Sequence, residues 1–216
     1  MGAIMSGIRW LARGGIYCGG LMIIVGALLV TFDVVIRAVA GKSMKGADEL
    51  SGYLFGVGVA WSLASNLLSR SNVRVDFAYA MLPKPLQAVL DVLGLLLFGS
   101  FFTLVAYHAY ILTEGSYGSL DGSGWSQAVS PMKTPLAIPQ TFWLVGLCLF
   151  VVTFVAVTVQ ALAALARRDL EAVNRICGAR TIEEEVAESV GFAEHELTEE
   201  RHMAEQERLA QAHRKG

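Results

Sequence analysis

Residues 134–166 read TPLAIPQTFWLVGLCLFVVTFVAVTVQALAALA, with no charged side chain from end to end. A bilayer core takes roughly 20 apolar residues as a helix, because every backbone amide must find its partner inside the segment. The portion after Pro139 is long enough to cross, so a span is expected over 139–166. Immediately beyond it Arg167, Arg168 and Asp169 open a polar segment that continues to Gly216.

Three further runs share this character: Gly14 to Phe32, Leu50 to Ser69 and Val92 to Thr113 are uncharged. The whole chain is 54% hydrophobic and 17% charged, and its mean hydropathy of +0.51 is unusual for a soluble domain. These runs predict an all-α integral membrane protein with four transmembrane helices at about 14–36, 49–69, 88–112 and 139–166. A segment over 1–13 precedes this domain of residues 14–166, and an acidic, partly helical tail over 167–216 follows it.

In the first segment Ile4, Met5, Ile8 and Leu11 fall at near-helical spacing against Arg9 and Arg13, with Trp10 beside them. Two readings stand: an interfacial helix lying on the membrane, or the arginine-anchored start of the first span. A cleaved signal peptide ending at Ala38-Val39-Ala40 fits less well, since the apolar run exceeds a usual signal core and Asp33 and Arg37 stand before the cut. In the tail, Thr181 to Glu184 reads as a capping box, and Ile182, Val186, Val190, Ala193 and Leu197 form one narrow apolar stripe. Twelve acids face eight bases between Arg167 and Gly216. A solvated helix is the preferred reading there and a docking helix the sharper one.

Lysine and arginine set the orientation. With the amino terminus inside, the inner segments hold nine basic residues near the membrane, Arg70, Arg74 and Lys84 among them, and the outer segments hold four. Both termini are therefore expected in the cytoplasm. Cys18, Cys148 and Cys177 imply no disulfide framework.

Gly52, Gly56, Ala60 and Ala64 recur every fourth residue, giving a smooth stripe that lets another helix approach closely, within this chain or from another. Asp33 and Arg37 are spaced for a local ion pair, and Glu49 stands where an acid favours the helix dipole. His108 lies inside the third run, where an ionisable group is a functional candidate. The other histidines, His195, His202 and His213, are in the tail, which argues against a haem held by two histidines at membrane depth. A hydrogen bond to another helix is the preferred role. The chain carries no phosphate-binding Gly-Lys-Ser/Thr loop, no His-Glu-x-x-His, no Gly-x-Ser-x-Gly and no Cys-x-x-Cys, so an enzyme is not expected.

The order of Arg37, Glu49-Leu50, Trp61, Arg70, Arg74-Val75-Asp76 and Leu82-Pro83 resembles the small (DctQ-type) membrane subunit of tripartite ATP-independent periplasmic, or TRAP, transporters. Thr134 to Pro139 leading into a last span with Trp143 is similar to that family as well, and the resemblance covers roughly residues 10–165. Asn72 stands where the family often has a histidine, and the tail is longer than the family needs.

The resemblance implies a non-catalytic subunit of a secondary, ion-gradient-driven transporter in the bacterial inner membrane. Its partners would be the large membrane subunit, a periplasmic substrate-binding protein and membrane lipid, with no nucleic acid. No cofactor is expected, and sodium coupling would belong to the large subunit, which would carry the organic acid anion. Arg37, Glu49, Gly52, Gly56, Ala60, Trp61, Arg70, Arg74, Asp76 and His108 are the candidate interface or structural residues. A membrane-anchor subunit of a redox or other enzyme complex is the alternative.

Overall fold

The computed structural model describes residues 2–70, 82–118, 125–130, 132–167 and 169–178, with isolated positions 186, 190, 191 and 201 beyond. Two compact units divide the chain, Met1–Gly178 and Ala179–Gly216. Among its described residues the first has five helices: α1 (Gly2–Ala40), α2 (Ala47–Leu68), α3 (Lys84–Tyr117), α4 (Ala137–Ala166) and α5 (Leu170–Cys177). Among the described residues the only extended pairing is an isolated antiparallel bridge between Gln127 and Pro135.

Among the described residues three stretches are long and apolar enough to cross a membrane: Met5–Ala40, Pro85–Tyr117 and Ala137–Ala166. The expected fourth, α2, forms a helix of 22 residues but does not reach that apolarity. Ser51, Gly52, Ser62, Ser65 and Asn66 dilute it. Its position accounts for the composition, since α2 packs against α1 on one side and α4 on the other. A helix shielded by neighbours has less need of greasy side chains than one facing lipid.

α1 runs unbroken for 39 residues, about 58 Å at 1.5 Å per residue. The helix continues through residue 13 without a break. No proline interrupts the segment, and a longer helix than the roughly 30 Å hydrocarbon thickness is accommodated by tilt or by protrusion. Its end is set by Gly41 in the left-handed region (φ 63°), whose N–H donates to Arg37 O at 3.1 Å. Any side chain would strain that cap. Gly46 repeats the conformation (φ 85°) before α2, and a Cβ there would collide with Met132.

Helix order in space is α1, α2, α4, α3, with α5 laid across α3 and α4. Glycine permits the α1–α2 approach: a Cβ on Gly19 would lie 2.5 Å from Gly58 O, and one on Gly58 would lie 2.8 Å from Gly19 O. Gly15, one turn earlier, faces Trp61 O in the same way. Small residues four apart are the usual means of such contact between membrane helices, because van der Waals packing replaces the missing hydrophobic drive. Between α3 and α4 the filling is aromatic. Phe98, Phe102 and Phe150 meet with centroids 4.9 to 5.8 Å apart, and Gly99 leaves room for the Phe154 ring. Asp169 starts α5 by accepting from Ala172 N at 2.9 Å, and Val173 and Cys177 are buried against the bundle.

Candidate assembly surface

Several polar residues of the bundle hold its loops. Asp33, 3% exposed, accepts from Arg37 Nη2 at 2.6 Å, from Ser43 Oγ at 3.0 Å and from the backbone N–H of Met44. A buried carboxylate is tolerated only with such compensation. The expected ion pair is therefore one arm of a clamp that folds the turn between α1 and α2 back onto α1. Arg37 itself remains largely solvated and also reaches Ser43 Oγ at 3.1 Å.

Glu49 stands in the first turn of α2, as the sequence suggests, and Oε1 accepts from Tyr53 OH at 2.8 Å. Ser130 and Thr134 flank the carboxylate, so Glu49 meets the loop that leads into α4. That loop is pinned in turn: Ser126 N donates to Ser116 O at 3.0 Å and Leu136 N to Ser126 O at 2.9 Å. Tyr117 OH and Thr141 Oγ1, 2.7 Å apart, join the ends of α3 and α4.

The small-residue stripe divides into two halves. Ala60 and Ala64 are 1% and 0% exposed, closed off inside the chain. Gly52 and Gly56 have open space where a Cβ would stand. They line a groove of about 220 Å³ with Tyr53, Val57, Pro139 and Trp143. Trp61 donates from Nε1 to Phe142 O at 2.9 Å, while its ring covers Gly146. Gly146 is as constrained as Gly19, with Ala60 C and Trp61 N each 2.9 Å from where its Cβ would be.

Arg70 ends α2 with positive φ (56°) and extends Nη1 to Asn174 O, 3.5 Å away on α5. Arg74 and Asp76, together with Asn72, lie outside the described residues. So do Thr181 to Glu184, Ala193 and Leu197 of the tail, where Val186 and Val190 are exposed.

His108 makes its hydrogen-bond contact within its own helix. Nδ1 lies 3.0 Å from Leu104 O of its own helix, and the side chain is exposed, so the bond that forms is local rather than between helices of this chain. The i−4 carbonyl lies under the side chain in any helix, and it supplies the near partner.

Two features escape the sequence reading. Asp91 is 1% exposed on α3 and is partnered. It stands just before the uncharged run from Val92, so it reads as a boundary residue. Gly15 and Gly19 carry the small-xxx-small spacing that the close contact uses.

The family model described as "Tripartite ATP-independent periplasmic transporters, DctQ component" matches residues 26–164. That interval takes in α2, α3, nearly all of α4 and the Asp33 clamp. No curated protein and no solved structure matches the chain.

Proposed function

The chain belongs to the DctQ-component family of TRAP transporters, and from that premise we propose that it is a non-catalytic scaffold for the large membrane subunit. The observation that carries this is the distribution of polar groups and glycines. Asp33, Trp61 and Tyr117 are committed to holding helices and loops, and Gly19, Gly58 and Gly146 lock the helices against one another. Such a bundle offers rigid surface. Its open groove at Gly52 and Gly56 is apolar, which suits a helix rather than an anion.

In this reading α2 is the fourth span, kept from lipid by α1 and α4. Both termini face the cytoplasm of a bacterial inner membrane, in keeping with the bias of basic residues. The transported organic acid anion and the coupling sodium ion bind the large subunit, to which a periplasmic binding protein delivers the substrate. The basic loop with Arg74 and Asp76 serves assembly and topology, and makes no contact with substrate.

Reconstitution tests the proposal. Vesicles holding the large subunit with this chain, supplied with binding protein and a sodium gradient, are expected to accumulate the substrate. Omitting this chain lowers uptake and the amount of intact large subunit together. Asp76→Ala does the same to a lesser degree, with an unchanged apparent KM. An assembled Asp76→Ala complex with altered substrate affinity would overturn the scaffold role. Cysteines at Ser71 and Ser123 report the topology, since only the second should react with an impermeant thiol reagent in intact cells.

A further inference from the structure

The uncharged run of α1 is bounded by Arg13 on one side and Asp33 on the other, 20 residues apart. Along a helix that is about 30 Å, the thickness of the hydrocarbon layer. Arg13 therefore stands at one edge of that layer. Arg9, one turn earlier, lies about 6 Å farther out, in the zone of lipid headgroups.

Both arginines are on the side of α1 that its own bundle leaves uncovered. Ile8, Ala12, Gly15 and Gly19 are buried on the inward side, while Arg9, Trp10, Arg13 and Tyr17 are exposed. Trp10 and Tyr17 are 76% and 74% exposed, and they bracket Arg13 at steps of three and four residues, so the three share one face.

The chain does not neutralise these cations. No acid precedes Asp33 in the sequence. Arg9 donates from Nε to Met5 O at 3.4 Å, and among the described residues neither guanidinium meets a carboxylate. At the far end of the same helix the arrangement is the opposite, with Arg37 held 2.6 Å from Asp33. Like charges one turn apart repel, so Arg9 and Arg13 gain from an anion set between them.

The depth selects the anion. A protein helix laid over this face would bury two guanidiniums and would have to bring carboxylates to the membrane edge to pair them. A phospholipid already holds phosphate at that level. The forked donors of arginine match phosphate oxygens, and Trp and Tyr are the side chains that settle at the headgroup boundary. Leu21, Ile24 and Leu28, exposed on the same side of α1, continue the surface for the acyl chains.

We propose that Arg9 and Arg13, flanked by Trp10 and Tyr17, form a binding site for the phosphate of an anionic phospholipid. A zwitterionic headgroup carries its own ammonium beside the phosphate, so two unpaired cations discriminate against it. The site is complete within this chain and does not depend on the large subunit.

The test titrates the full chain, in neutral detergent, with phosphatidylglycerol and with phosphatidylcholine. Native mass spectrometry reads the dissociation constant of the first lipid retained. Phosphatidylglycerol should bind about tenfold more tightly. Arg9→Gln and Arg13→Gln should each weaken it about fivefold and leave phosphatidylcholine unchanged. Their melting temperatures without added lipid should equal that of the wild type, because both side chains are exposed. Lys42→Gln removes another exposed charge, beyond the other end of α1, and should change neither affinity.

Equal affinity for the two lipids overturns the proposal, as does wild-type binding of phosphatidylglycerol by both glutamine variants. Equal weakening by Lys42→Gln also sinks it, by reducing the effect to net charge. Displacement of the lipid by inorganic phosphate would assign the arginines to a soluble anion and defeat the lipid site. If one glutamine variant fails to fold, the other and Lys42→Gln decide by the same comparison.

Discussion

α2 and α3 both carry glycines, and each helix uses them in two ways. Gly58 of α2 meets Gly19 of α1 backbone to backbone, and neither has room for a methyl group. Gly94 and Gly115 of α3, like Gly52 and Gly56 at the outer end of α2, face open space. A glycine in these helices therefore marks one of two states: a contact already made within the chain, or an open face. Substitutions at the two kinds of site should separate fold from assembly.

The largest effect is expected where the contact is closed. Gly58→Leu drives a side chain into Gly19 O, 2.8 Å from the first added carbon, and backbone cannot swing aside. The cost should reach about 3 kcal/mol, the upper part of the overpacking range. Little monodisperse chain should survive purification in detergent. If Gly58→Leu folds normally, the α1–α2 contact is looser than the glycine pair implies, and the contrast with α3 loses its basis.

Next comes the Asp33 clamp. Asp33→Ala leaves Met44 N–H and Ser43 Oγ without their acceptor, while Arg37, already solvated, loses less. A loss of about 2 kcal/mol is expected by thermal unfolding. Arg37→Ala should cost under half of that, since the guanidinium is largely solvated and the Asp33 carboxylate keeps its bonds from Ser43 and Met44. Equal losses would show that the ion pair, not the capping of the turn, holds this end of α2.

At an open site the order of effects reverses. Gly56→Leu should change the stability of the isolated chain by no more than about 0.5 kcal/mol. Its association with the large subunit should fall about tenfold, as added volume in a close helix crossing costs roughly 1–3 kcal/mol. Unchanged co-purification would assign the groove at Gly52 and Gly56 to lipid.

This contrast also explains what the sequence could disclose. The apolar runs, the family motif order and the Asp33–Arg37 spacing were legible because each is local, a matter of length or of i to i+4 geometry. The unbroken α1 was harder to see, since the charges at Arg9 and Arg13 suggest a boundary that the backbone has no reason to respect. The division of the stripe at Gly56 and Ala60 was not legible, for it depends on where α4 crosses α2. The outward placement of His108 was not legible for the same reason: hydropathy gives its depth along α3 and says nothing of which side faces the neighbouring helices.

The smallest expected effect probes the closed half of the stripe from its side chain. Trp61→Phe removes the donor to Phe142 O, but the helix ladder already uses one lone pair of that carbonyl, so no acceptor is stranded. The loss should be about 1 kcal/mol, combining a neutral hydrogen bond with a small void over Gly146. A double-mutant cycle with Gly146→Ala sharpens the reading. The added Cβ would lie 2.6 Å from Trp61 Cδ1, which Phe could vacate, and also 2.9 Å from Ala60 C and Trp61 N, which it cannot. If the backbone is the obstacle, the two losses should add within about 0.5 kcal/mol. Rescue of Gly146→Ala by Trp61→Phe would instead show that the indole alone fills the contact, and that α2 and α4 approach less closely than α1 and α2.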